Sequence, residues 1–156
     1  ALINALSILP EYLKNEATND GAVFDYRDWH IPLGRRFRAL KLWFAIRHYG
    51  VEGLQFHIRK HVELSQQFKQ WVIDSDNFDL VVDNPLNLIC FRHKDGDDKT
   101  EAIMASVNQT GEAYLTHTKL NDKYTIRMSI GQTNTELKHV EHAWRLLNEA
   151  SDKLSK

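Results

Sequence analysis

The chain has one cysteine, Cys90, so no disulfide can form within it. That residue sits in the apolar run Leu86 to Phe91, where a buried, unreactive thiol is expected. A thiol left free suits a reducing compartment, and the cytoplasm is the expected location. Surplus basic charge is missing too, the formal net charge being -1 with 26% charged residues. Nucleic acid and anionic membrane surfaces both call for a basic excess, so neither is expected as a partner. No apolar run reaches the length of a membrane span. The apolar opening ALINALSILP has neither a starting methionine nor a basic segment ahead of it, so no signal peptide is expected. The chain reads instead as the C-terminal part of a longer polypeptide. Several catalytic signatures are absent: there is no HExxH pair and no phosphate-cradling glycine loop, and Ser7, Ser65, Ser106 and Ser129 stand in no motif. Internal repeats and low-complexity segments are lacking as well.

What is present is enough for one core, since 156 residues fit a single domain or a substantial piece of a larger protein. The stretch Asp25 to Gly50 stands out. Pro32 and Gly34 punctuate an extended lead-in, and a helix is expected directly after them. Within that helix Phe37, Leu40 and Phe44 form one apolar stripe and Ala39, Leu42, Ile46 and Tyr49 a second, with Trp43 between them. Arg38, Lys41 and His48 keep only a narrow polar face. A helix apolar most of the way round is buried on several sides, so a missing domain or a second subunit is expected against it. Arg35 and Arg36 place two positive charges at a helix start, where the dipole disfavours them, and pairing with Asp25 and Asp28 or with an outside carboxylate would relieve this.

Along the rest of the chain, residues 1–10 read as a short strand or irregular segment. Glu11 to Gly21 is a polar loop ending in the turn signal Asn19-Asp20-Gly21. Gly50 closes the apolar helix, and a second helix runs from Val51 to about Ser75 with the stripe Val51, Leu54, Ile58, Val62, Phe68, Val72. Strands come next at Phe78–Val82 and Leu86–His93, joined through Asp83-Asn84-Pro85. A helix is expected at Thr100–Gln109. A hairpin is expected at Ala113–Leu120 and Lys123–Ile130 about Asn121-Asp122, then a last helix from Thr133 or Thr135 carrying Leu137, Val140, Ala143, Trp144 and Leu147. The class is α+β, an antiparallel four-stranded sheet covered by helices on one face. Trp43, Trp71 and Trp144 sit at helical spacings and read as core. His57 and His61, four apart, and His139 and His142, three apart, could each present two metal ligands. No third ligand accompanies them, so they are placed on solvated faces and no metal is expected.

Four runs carry a family resemblance: DYRDWHIPLGRRFRALKLWF, YGVEGLQFHIRKHVELSQQF, NLICFRHK and NDKYTIRMSI. Together they make nearly the whole chain resemble the C-terminal third of the aromatic-L-amino-acid decarboxylases, group II pyridoxal-phosphate-dependent enzymes. The fold implied is the small C-terminal domain of fold-type I pyridoxal-phosphate enzymes, preceded by a loop and long helices of the large domain. Residues 1–35 would end the large cofactor-binding domain with a mobile catalytic loop at about 11–21, residues 36–74 would be connecting helices, and residues 75–156 the small domain. The cofactor lysine, and the residues that stack on and pair with the cofactor ring, would lie upstream, leaving no cofactor-binding residue in this chain.

The resemblance also assigns roles. PEYLKN is similar to the family's mobile loop, which makes Tyr12 its catalytic tyrosine. Loss of carbon dioxide leaves a carbanion equivalent at the substrate Cα, and a phenol carried in by a closing loop would protonate it. Relatives with phenylalanine there form aldehydes, so Tyr12 favours plain decarboxylation to an amine. Gly34 corresponds to a position lining the side-chain pocket, where glycine leaves room for an aromatic ring. Arg27 and Arg35 match basic positions that could anchor the loop or the subunit interface, and solvated ion pairs would account for them too. His30 departs from the family's usual glutamine. A homodimer with its active sites at the subunit interface and an aromatic amino acid as substrate are implied, and this piece alone would be inactive. The alternative is a free-standing, non-catalytic binding or dimerisation module derived from the same scaffold.

Overall fold

The computed structural model describes residues 2–6, 26–29 and 36–155, and of residues 3, 4, 27 and 28 the backbone alone. Two compact units are present, residues 1–48 and residues 49–156. In the first, α1 spans Leu2–Leu6. An extended or irregular segment was expected there, but LINAL carries only one β-branched residue, and its leucines and alanine favour a helix. Tyr26–Trp29 is a single 3-10 turn in place of the expected extended lead-in. Side chains three apart eclipse in such a turn, and the rings of Tyr26 and Trp29 lie 6.3 Å apart.

The long helix α2, Arg38–Ile73, is broken at Gly50, whose φ of 64° and ψ of -178° are not helical. This is backbone that glycine adopts and other residues avoid. The break falls where the sequence reading closes one helix at Gly50 and opens the next at Val51. Ahead of it the apolar side chains are bare: Phe37 is 73% exposed and Trp43 55%. Trp43 is thus no core residue in this chain, unlike Trp71 and Trp144.

The second unit holds the core. After the kink, α2 buries His61, Leu64, Ser65, Phe68 and Val72, a stripe of three- and four-residue steps. The upper part of the expected stripe does not join it, Val51 being 68% and Ile58 62% exposed. Strands β1 (Phe78–Val82), β2 (Leu88–His93), β3 (Thr116–Leu120) and β4 (Lys123–Ser129) form one antiparallel sheet in the order β1-β2-β4-β3. Alternation sends Phe78, Ile89, Phe91 and Ile126 to the core face. Cys90 and Arg127, paired across β2 and β4, take the other face. Asn121 and Asp122 both have positive φ, 52° and 60°, the left-handed pair that a tight two-residue hairpin requires.

Two more helices cover the core face. α3 (Asp97–Gln109) starts three residues earlier than expected, with Asp97 and Asp98 in its first turn, where the dipole favours them. It buries Thr100, Ile103 and Val107. α4 (Leu137–Lys153) buries Val140, Ala143, Leu146, Leu147 and Ala150. Phe68 sits at the centre, its ring 5.4 Å from Phe91, 5.5 Å from Trp144 and 6.3 Å from Trp71.

Candidate functional site

Tyr12, Gly34, Arg35 and His30 lie outside the described residues, and Arg27 is placed by its backbone alone, in the 3-10 turn Tyr26–Trp29. The described residues therefore do not bring the expected site together. They begin again just past Gly34 and Arg35, at the start of α2. Arg36, Phe37, Arg38 and Ala39 line an open hollow of ≈ 400 Å³ there. The amide of Arg38 donates to the carbonyl of Arg36 at 2.7 Å, a tight turn that starts the helix. Further along α2, the Arg47 guanidinium lies 5.9 Å from the ring centre of Trp43, within cation–π range.

The cofactor implied by the resemblance, pyridoxal phosphate, needs an amine free to condense with its aldehyde and a partner for its ring nitrogen. Lys69 and Lys99, each 18% exposed, have amines engaged at 2.9 Å by Asp83 and at 2.8 Å by Asp95. A second hollow, of ≈ 290 Å³, carries Lys123 and Arg92 with Asp79, across the strands of the sheet. The described residues do not assemble the set that this cofactor needs.

The histidines are not all placed as expected, although His139 is exposed as the sequence reading has it. His61 is buried, its Nε2 3.1 Å from the Gln132 carbonyl oxygen. His57 packs edge-on against Tyr49 and Phe56, at ring distances of 5.0 and 5.5 Å, in place of standing on a solvated face. Tyr49, eight residues earlier, and the adjacent Phe56 give His57 aromatic rings to lie against. His139 Nδ1 accepts the amide N–H of Glu136 at 3.0 Å, at the start of α4. His142 lies between Glu112 and Arg145, at 2.6 and 2.8 Å. Among the described residues no group of three His, Cys, Asp or Glu could hold a metal ion.

A buried polar cluster escaped the sequence reading. His93, at the end of β2, has Nε2 3.0 Å from Ser151 Oγ on α4 and Nδ1 3.6 Å from Asp95 Oδ2. The order Ser–His–Asp resembles a nucleophile, a base and its orienting acid. The hydrogen bonds exclude that chemistry. Nδ1 accepts the backbone N–H of Asp95 at 3.1 Å, so the ring proton of the neutral imidazole sits on Nε2 and points at Ser151. Such a ring cannot take a proton from the serine. Burial pushes its pKa below the ordinary histidine value, Lys99 and Lys94 push the same way, and Asp95 opposes them. The available signal was period two: His93 continues the core-facing series of Ile89 and Phe91.

Comparison with known proteins gives a consistent answer. The model of the pyridoxal-dependent decarboxylase conserved domain matches residues 1–94. The chain is 44% identical over 156 residues to tyrosine decarboxylase 2 of Narcissus pseudonarcissus, covering 96% of this chain and 31% of that protein. It is 41% identical over 161 residues to phenylacetaldehyde synthase of Arabidopsis thaliana, covering 99% and 33% respectively. The crystal structure of Oryza sativa TDC with PLP and tryptamine superposes with a TM-score of 0.84 at 36% identity, over 99% of this chain and 34% of that one. The chain spans about a third of the length of the curated relatives it matches.

Proposed function

The chain belongs to the pyridoxal-dependent decarboxylase family, and on that premise we propose that it is the C-terminal portion of an enzyme converting an aromatic L-amino acid to its amine and carbon dioxide. The observation that carries this reading is the match of 96% of the chain, at 44% identity, to a tyrosine decarboxylase. In this reading residues 1–35 close the large domain, residues 36–74 connect, and residues 75–156 form the small domain.

Pyridoxal phosphate, held by the upstream part of the protein, supplies the electron sink into which the electrons of the Cα–carboxylate bond move. The work left to this chain is protonation and exclusion of water. Tyr12, on its loop, delivers the phenolic proton to the substrate Cα once carbon dioxide has left, and loop closure keeps oxygen and bulk water from that carbon. Gly34 leaves the space an aromatic side chain occupies. Arg27 and Arg35 hold the loop or the subunit interface by ion pairs. The bare apolar surface from Phe37 to Ile46 supports a homodimer in which the upstream domain and the second subunit cover this helix. Burying such side chains stabilises association by about 1.5–3 kcal/mol each before entropy is subtracted. A cytoplasmic location is part of the same proposal, since the free thiol of Cys90 suits a reducing compartment.

The test is product analysis of the full-length protein with the substitution Tyr12→Phe. The reading expects the amine to give way to the aldehyde, with oxygen consumed, while carbon dioxide is still released. Unchanged amine yield from Tyr12→Phe would remove Tyr12 from the reaction.

A further inference from the structure

The proposed reaction leaves unused a hollow of ≈ 180 Å³ between the start of α4, the end of β4 and the loop that leads into β3. We propose that it is a binding site for one neutral aromatic ring bearing a hydroxyl, phenol being the simplest member of that class.

The walls are fixed in advance, each pinned through its backbone by a side chain from elsewhere in the fold. Asn108, on α3, accepts the Leu115 amide on Oδ1 at 2.7 Å and donates from Nδ2 to the Leu115 carbonyl at 2.9 Å. Asn87 donates to the Ile130 carbonyl at 2.7 Å, and its own carbonyl accepts the Ile130 amide at 3.0 Å. His61 donates to the Gln132 carbonyl at 3.1 Å. Walls that are ordered before a ligand arrives lose little conformational entropy when it binds. The floor is apolar. Leu115, Ile130, Val140 and Ala143 are all buried there, with the partly buried Met128 beside them.

Size and charge select the ligand. A cavity of about 150 Å³ lined by apolar side chains takes up benzene, so this hollow has room for a single ring with one small substituent. Of the twelve described residues that line it, none is Asp, Glu, Lys or Arg, in a chain of which 26% is charged. An ammonium or carboxylate entering there would lose water and meet no counter-charge. That disfavours the amino acid and the amine of the proposed reaction and favours a neutral ring. The rim supplies a polar contact. His139 Nδ1 accepts the Glu136 amide at 3.0 Å, so the neutral imidazole carries its proton on Nε2, and among the described residues no acceptor takes it. A hydroxyl oxygen on the ligand is the acceptor that fits. Tyr114 completes the rim. Its loop is held on both sides, by the Leu115 bonds and by Glu112 against His142 at 2.6 Å, yet its side chain is 82% exposed. An uncovered tyrosine on a pinned loop, beside an apolar hollow, offers a ligand ring a face or an edge to pack on.

The experiment is methyl NMR on the full-length, cofactor-loaded protein, labelled at its methionine methyl groups and titrated with phenol. The signal missing from Met128→Leu reports this hollow, whatever phenol does at the catalytic site, so the outcome does not depend on the decarboxylase reading. The Met128 signal should move saturably with phenol and stay in place with benzoate or benzylamine at the same concentration. Tyr114→Ala changes an exposed side chain and should weaken the phenol response roughly three- to tenfold. Ala143→Leu fills the floor and should abolish it. A Met128 signal that phenol leaves in place, an equal response to the two charged rings, or a response undiminished in Tyr114→Ala overturns the proposal. If Ala143→Leu does not fold, Tyr114→Ala and the charged rings decide the question by themselves.

Discussion

His61 Nε2 lies 3.1 Å from the carbonyl oxygen of Gln132, 71 residues further along the chain. A carbonyl only accepts, so the imidazole carries its proton on Nε2 and donates it. The bond ties α2 to the segment that leads into α4. Its ring is buried, so replacing it with a ring of similar volume isolates the hydrogen bond from the packing. His61→Phe should lower stability by about 0.5–1.5 kcal/mol in denaturant unfolding. No change would mean that water serves the Gln132 carbonyl equally well.

Phe68 is fully buried and touches rings from three elements, Trp71 on its own helix, Phe91 on β2 and Trp144 on α4. Phe68→Ala should cost about 3–5 kcal/mol by equilibrium unfolding, since the rigid indoles around it cannot collapse into the space. Tryptophan fluorescence should shift with it, because Trp71 and Trp144 stack across the same void at 6.4 Å.

Gly50 separates two energetic effects that are usually mixed. A Cβ built there meets nothing within 4 Å, while its φ of +64° lies in the left-handed region. Gly50→Ala therefore tests backbone strain without a clash, and a loss of about 1–3 kcal/mol is expected in the same unfolding measurement. A neutral result would show that the kink relaxes into continuous helix.

Cys90 is buried on the sheet face away from the helices, and burial raises its thiol pKa, with the Arg127 charge acting the other way. Reactivity tracks the thiolate. Alkylation by iodoacetamide at pH 8 should be much slower in the folded protein than in urea. Equal rates would contradict the burial.

How far these features were legible depends on whether they are local. The Asn121-Asp122 hairpin and the strand Phe78–Val82 were readable because turn chemistry and alternation act between neighbours. The stripe of α2 was readable from Phe68 to Val72 and misread at Val51 and Ile58, because periodicity marks an apolar face without saying whether this chain covers it. Trp43 was misread for the same reason. His93 was missed because its partner Ser151 is 58 residues away and comes near only through the packing of α4. Tyr12 and Gly34 had no local signature, since a loop tyrosine and a turn glycine fit many structures. Resemblance alone singled them out.

The central claim is that this chain completes a decarboxylase acting on aromatic L-amino acids. It is tested most directly by supplying the cofactor-loaded full-length protein with L-tyrosine, L-dopa, L-tryptophan and L-phenylalanine, and measuring carbon dioxide, amine and aldehyde together. The account predicts that at least one substrate gives carbon dioxide and amine in equal amounts with little aldehyde. Carbon dioxide released with aldehyde in place of amine, or no release from any of the four, would contradict it.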